Sequence, residues 1–317
     1  MRTTLDRFHV GIATEIGPLS LFPVWTESRP AQLHRVTPQQ GVAVTELEQP
    51  TVPLLNVNNE LEVPVLLTEG TLLFGGRQTR VLTHDVLLRS HSNTQVEVAC
   101  VEQGRWGGGN AHSIAGRVPM RVIATLRDTG AQYRDETRRG ERQHRVWANV
   151  ERYGLRYGRS NTASLNDLMV GEPQVTRDAG QAKLEFERVR VQRALREYAD
   201  RLLPGQSGVL IAALGHPIAL EIITSPLEFA RNVSALLDGF VMDIAGLPAI
   251  PTPGARVRRW ASYVMDAVVE QTAEDATSAS FGAFNEYFTI QTTHELGSSN
   301  ALHTLVVSSR HELMLAA

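Results

Sequence analysis

The chain has 317 residues, 42% of them hydrophobic and 21% charged, with a formal net charge of −3. That is enough apolar material for a sizeable core in one large or two ordinary domains, and the charge balance gives no general attraction to nucleic acid or to membrane surfaces. No apolar run approaches the ~20 residues of a membrane span. The N-terminal stretch with Arg2, Asp6 and Arg7 lacks the apolar centre of a secretory signal, so the expected compartment is the cytoplasm. The single cysteine, Cys100, excludes an internal disulfide and any multi-cysteine metal site, and its mid-strand position on an apolar face reads as core.

From the start to about residue 125 the pattern is of short strands broken by turn residues. The expected strands are Phe8 to Ile12, Leu19 to Pro23, Val42 to Glu48, Val52 to Val57, Val63 to Glu69, Gln78 to Leu82, Val86 to Leu88 and Gln95 to Glu102. Pro53 and Pro64 demote their strands toward an edge or an irregular start, because proline cannot donate to the ladder. Two of these strands end alike. Alternation puts Val63, Val65, Leu67 and Glu69 on one face, and Val96, Val98, Cys100 and Glu102 on one face, so each apolar stripe finishes in an inward carboxylate. Such a group is costly unless paired or hydrogen-bonded, and each lies at the mouth of a loop rich in Gly and Arg.

Arginine then dominates the charged positions from Arg127 to Arg159, through Arg134, Arg138, Arg139, Arg142, Arg145, Arg152 and Arg156. This is either a solvated helix face or a phosphate-binding strip. After about residue 140 the period becomes helical. Gln143, Val146, Trp147, Val150, Tyr153 and Tyr157 mark one helix, and Leu184, Val191, Leu195, Tyr198 and Leu202 a second. Pro204 to Gly208 stops the latter, and Val209 to Leu214 with Ile218 to Thr224 form a hairpin around Gly215-His216-Pro217. Ser225-Pro226-Leu227-Glu228 is a capping box that opens a helix expected to reach Asp243. After the linker Leu247 to Gly254, a further helix is expected with Val257, Trp260, Val264, Val268 and Gln271 in register. Strands at Tyr287 to Gln291 and Leu302 to Val307 and a fraying tail complete the chain. The whole reads as α+β: a β-rich N-terminal domain at 1–126, folded as an antiparallel sandwich or partly open barrel, and a mixed helical and hairpin domain at 127–317.

Two constellations carry chemistry. In the first, Gln78 and Arg80 share a strand face that approaches the Glu69 loop, a set suited to an anionic or polyhydroxyl ligand. A plain Glu69–Arg80 pair closing a strand end is the alternative. In the second, Glu102-Gln103-Gly104-Arg105-Trp106 followed by Gly107-Gly108-Gly109 makes a polar corner with an aromatic plate beside a loop. The glycine-rich segments fit neither a Walker loop nor a dinucleotide fingerprint, and the ten histidines are scattered, so neither a metal nor a cofactor is expected.

At Gln78-Thr79-Arg80 and at Cys100-Val101-Glu102-Gln103-Gly104-Arg105-Trp106 the chain resembles the ADP-ribosylglycohydrolase and rhodanese-phosphatase associated protein domain family. That prokaryotic group is named for its gene neighbours. The likeness continues through Val146-Trp147 and Ser225-Pro226 and departs at Gly107 to Gly109. It implies processing or sensing of ADP-ribose-type or other phosphorylated nucleotides, with Gln78, Arg80, Glu102, Gln103, Arg105 and Trp106 as motif positions; Glu69 rests on the strand pattern alone. Three readings follow. In an enzyme, Arg80 and Arg105 hold phosphate, Gln78 and Gln103 hold ribose, and Glu69 or Glu102 is the general acid or base. In a non-catalytic module, the same ligand is sensed for a partner enzyme. In a structural protein, the polar corners only brace loops.

Overall fold

The computed structural model describes residues 1–29, 34–127, 136–159, 163–170 and 178–315. The chain forms two compact units that interleave along the sequence. The first takes Met1–Leu33, Val191–Leu237 and Gly246–Leu315, and the second His34–Arg190 with Asp238–Ala245.

The first unit opens with β1 (Arg2–Thr4), β2 (Phe8–Val10), β3 (Thr14–Ile16) and β4 (Leu19–Thr26). The second unit then runs through β5 (Arg35–Val36), β6 (Val42–Thr45), β7 (Leu54–Asn59), β8 (Val65–Leu67) and β9 (Thr71–Gly75). It continues with β10 (Arg80–Leu82), β11 (Val86–Leu88), β12 (Ser92–Cys100) and β13 (Ala111–Arg117). Six of these close into a barrel in the order β10-β12-β7-β6-β13-β9, while β11, β8 and β5 make a small separate sheet. Strict alternation builds the barrel: Leu55 and Val57 on β7, Val96 and Val98 on β12, Leu73, Leu82 and Ile114 share one buried cluster, whereas Asn56 and Asn58 alternate outward from Leu55 and Val57. A six-stranded barrel is too narrow to hold a channel, so its middle is filled by these side chains and only its ends have room for polar groups.

Three helices follow in the second unit: α1 (Met120–Arg127), α2 (Glu136–Arg156) and α3 (Leu165–Val170). The expected boundary between residues 126 and 127 falls inside α1. The helix α4 (Ala179–Ala199) leads back to the first unit, where β14 (Gly208–Ala213) and β15 (His216–Ile223) form the expected hairpin. Then come α5 (Pro226–Ile244), α6 (Gly254–Met265), β16 (Val268–Glu274), β17 (Ser278–Phe284), β18 (Phe288–Glu295) and β19 (Ala301–Ser308). At the head of α5 the Glu228 N–H donates to Ser225 Oγ at 3.4 Å, the expected cap. The first unit is a ten-stranded antiparallel sheet ordered β1-β16-β17-β18-β19-β15-β14-β4-β2, with β3 on β4. Val257, Ala261 and Val264 of α6 enter the cluster that Phe22, Leu210, Leu220 and Val306 form on the sheet.

The α+β class and the β-rich N-terminal half are as expected, while two expectations for the C-terminal part are not met. Val268 and Gln271 do not continue α6. Asp266 caps the helix, its N–H reaching Ser262 O and Val264 O, and Val268 opens β16 because the stretch finds ladder partners on β1 and β17. Nor does the tail fray through residue 315: His311, Leu313 and Met314 are buried, and the His311 ring bonds Ala213 O at 3.1 Å.

Candidate functional site at one end of the barrel

Arg80 and Leu82 point inward from β10, and Arg80 lies in register with Cys100 on β12 and Leu73 on β9. An arginine inside a barrel has to be met by something. Its Nε donates to Val52 O at 3.1 Å, yet among the described residues Nη1 and Nη2, both shut off from solvent, have no hydrogen-bond partner. Arg80 is the largest fully buried side chain, at 0% exposure. Burial pulls its guanidinium below the usual arginine range, against the fields of Cys100, Glu46 and Glu102.

Around it the same barrel end gathers further unmet polar atoms. Glu46, next after β6, has Oε1 accepting from Arg77 N–H at 2.8 Å and facing His112 Nε2 at 3.2 Å, while Oε2 is unpartnered among the described residues. Both side chains of this Glu46–His112 pair have zero exposure. Burial holds His112 below the ordinary imidazole range even though Leu73 O and Glu46 favour its charged form. Gln78 donates to Glu102 O at 3.2 Å and keeps Oε1 unpartnered.

Two glycines fix the geometry. Gly76 has φ +54, and a Cβ there would stand 2.0 Å from His112 Nε2; Gly108 has φ +131, and a Cβ would stand 2.6 Å from Gly76 O. The β9–β10 turn therefore seats directly on the His112 ring, and the 103–109 loop on that turn. Trp106 sits at the rim, 48% exposed, with the Arg77 and Arg80 guanidinium carbons 5.8 and 5.9 Å from its ring centroid.

Glu102 belongs to this end as well. Its Oε2 accepts from Thr79 N–H at 2.9 Å and from Arg105 Nη2 at 2.7 Å. Burial raises the Glu102 carboxyl, but the Arg105 and Thr79 bonds outweigh it and hold the group below its ordinary value. Arg105 also reaches Gly75 O and Gly107 O, both at 3.3 Å, and its Nε is unpartnered among the described residues. The exposed Gln103 is anchored by its backbone, its N–H donating to Ala163 O at 3.0 Å.

The structure thus brings together Gln78, Arg80, Glu102, Gln103, Arg105 and Trp106, and leaves Glu69 out. Gly70 N–H bonds Leu82 O, whereas Glu102 bonds Thr79 N–H, so the two loops are anchored three residues apart on the stretch from Thr79 to Leu82, roughly 10 Å by the rise of a strand. Glu69 does not face Arg80. It is clamped by Arg127 of α1, whose Nε lies 2.9 Å from both carboxylate oxygens and whose Nη2 lies 2.5 Å from Oε2. Burial outweighs Arg127 and raises the Glu69 carboxyl. The residues the sequence reading missed are Glu46, His112 and Arg77. A signal existed for two of them: Val42-x-Val44-x-Glu46 repeats the stripe that ends in an acid, and His112-x-Ile114 alternates into the same core.

In its described part the arginine run from Arg127 to Arg159 is largely drawn into structural contacts rather than laid out as one solvated face or strip. Arg127 holds Glu69, Arg142 holds Glu97 at 3.0 Å and Arg159 bonds Asp167 O at 2.7 Å, while Arg152 is exposed. Arg134 and the side chains of Arg138 and Arg139 lie outside the described residues. Among the described residues no group of three or more His, Cys, Asp or Glu is placed to hold a metal ion, and no helix is long and apolar enough to cross a membrane.

No curated protein and no solved structure gives a significant match to the chain. A family profile does, over residues 7–312. The resemblance carried by the Gln78 and Cys100–Trp106 motifs therefore extends over nearly the whole sequence, and the chain belongs to the ARG and Rhodanese-Phosphatase-superfamily-associated Protein domain family.

Proposed function

We propose that this barrel end binds an ADP-ribose-like phosphorylated nucleotide, with Arg80 and Arg105 on phosphate, Gln78 and Gln103 on ribose and Trp106 under the base. The observation that carries the reading is Arg80: a buried guanidinium with two unpartnered terminal nitrogens is an expensive arrangement unless an anion completes it. The family's name supplies the context, since it ties its members to ADP-ribosylglycohydrolase and rhodanese-phosphatase proteins.

Of the two ways to use such a ligand, the geometry favours sensing it for a partner enzyme over processing it with Glu102 as proton donor. The Arg105 and Thr79 bonds keep Glu102 ionised at neutral pH, so it has no proton to give, and the same bonds lower its basicity and so weaken it as a proton acceptor. Glu69, in its own ion pair, takes no part in the site. Calorimetric titration of the full chain with ADP-ribose tests the proposal. Saturable binding that disappears in Arg80→Met is expected, and a wild-type protein that takes up no ADP-ribose would end it. Mass spectrometry of the same mixture is expected to return ADP-ribose unchanged.

A further inference from the structure

The unmet atoms at the barrel end are of two opposite kinds. Among the described residues, Arg80 Nη1 and Nη2, Arg105 Nε and Arg77 Nε are donors without acceptors, while Glu46 Oε2 and Gln78 Oε1 are acceptors without donors, and the unpartnered Thr79 hydroxyl can serve as either. A fully ionised phosphate offers acceptors alone. It would satisfy the guanidinium groups, leave Glu46 and Gln78 unmet, and be repelled by the Glu46 charge. A sugar hydroxyl donates and accepts at once. A ligand that carries hydroxyls next to its anionic group answers both kinds.

Resting on the reading above, we propose that Glu46, steadied by His112, is a ligand residue that reads sugar hydroxyls. A nucleotide that ends in a free ribose then enters sugar-first, with its base left at the rim on Trp106. Three observations set this direction. Glu46 and His112 have no exposed side-chain surface, so they form the inner part of the site. Trp106 is the half-exposed aromatic plate beside it. Glu46 Oε1 is already taken by the Arg77 N–H and faces His112 Nε2, so the carboxylate presents one defined oxygen, Oε2, to the ligand. Entry requires the 103–109 loop to lift, and that loop has a left-handed glycine near each end, Gly104 at φ +86 and Gly108 at φ +131.

The test uses ADP-ribose and ADP, which share the adenosine diphosphate and differ in the terminal ribose, with ribose 5-phosphate as competitor. On the full chain ADP-ribose is expected to bind at least tenfold tighter than ADP, and ribose 5-phosphate to displace it. Glu46→Gln turns the free acceptor into an amide donor, because the amide oxygen stays with the Arg77 N–H. It is expected to weaken ADP-ribose about 10- to 100-fold, the loss that follows from one charge-assisted hydrogen bond, and not to weaken ADP, whose terminal phosphate is relieved of the Glu46 charge. Equal affinities for ADP-ribose and ADP, or a Glu46→Gln protein that keeps the preference, overturn the sugar-first proposal while the nucleotide reading stands. Failure of both ligands to bind removes the reading itself. Should Glu46→Gln not fold, the wild-type comparison of the two ligands decides alone.

Discussion

Arg127→Met and Arg80→Met remove the same group from two buried places and are expected to have very different consequences. Arg127 meets Glu69 at 2.9, 2.9 and 2.5 Å, with side-chain exposures of 4% and 1%. Removing one partner leaves an uncompensated buried charge, which costs about 3–5 kcal/mol. Arg80 is the reverse case. Its one hydrogen bond among the described residues, to Val52 O, contributes about 1 kcal/mol, while each terminal nitrogen without a partner there costs about 1–3 kcal/mol. Attraction to Glu46 and Glu102 offsets part of that cost. The ligand-free Arg80→Met protein is therefore expected within about 1 kcal/mol of wild type, or above it. Urea unfolding at 25 °C followed by tryptophan fluorescence, with midpoint and slope read separately, measures both. If Arg80→Met proves as damaging as Arg127→Met, the Arg80 guanidinium is a strut with a structural partner, and the binding proposal loses the observation it stands on.

Burial lifts the Glu69 carboxyl, so the folded chain holds that proton more tightly than the unfolded chain does. Its contribution to stability is full below the ordinary value of 4.5 and is lost as pH rises through the raised value. Glu69→Gln, whatever its overall loss, is expected to flatten the fall in stability from pH 4.5 upward, and an unchanged slope would show that Glu69 stays ionised throughout. Trp106→Ala removes a stacking surface worth about 1–3 kcal/mol, so ADP-ribose should weaken roughly 5- to 150-fold while ribose 5-phosphate competes as before. Equal loss for both ligands in that titration would place the base elsewhere.

Much of the site was legible because it is local. Cys100 to Trp106 is one stretch of chain, and alternation alone aims Cys100 and Arg80 into a core. What could not be read was closure. Glu46 reaches the vicinity of Arg80 only because β6, β13 and β9 complete the barrel, and strand order is not written in any one strand. The partner of Glu69 is illegible for the same reason: Arg127 is 58 residues away on α1, in a stretch whose sequence carries no clear helical signal. The strand β13 is hard to read because its inward stripe is His112, Ile114 and Gly116, with Ile114 the one large apolar residue on it. Val268 looked helical by spacing. Ladder partners on both sides, β1 from the chain's start and β17, overrode that preference, as tertiary pairing commonly overrides propensity.

The pairing of β4 with β14 bears on how the protein is made. Val24 is opposite Gly208, 184 residues later, so the opening strands leave the ribosome roughly 10 to 40 s before their neighbour exists. During that interval the inserted barrel unit has nearly all of its own chain available, whereas β2 and β4 wait with open edges and apolar Phe22 and Val24 uncovered. Synthesis should therefore deliver a finished barrel before the large sheet closes, and agents that stall elongation between residues 26 and 208 should produce aggregation seeded by the N-terminal strands.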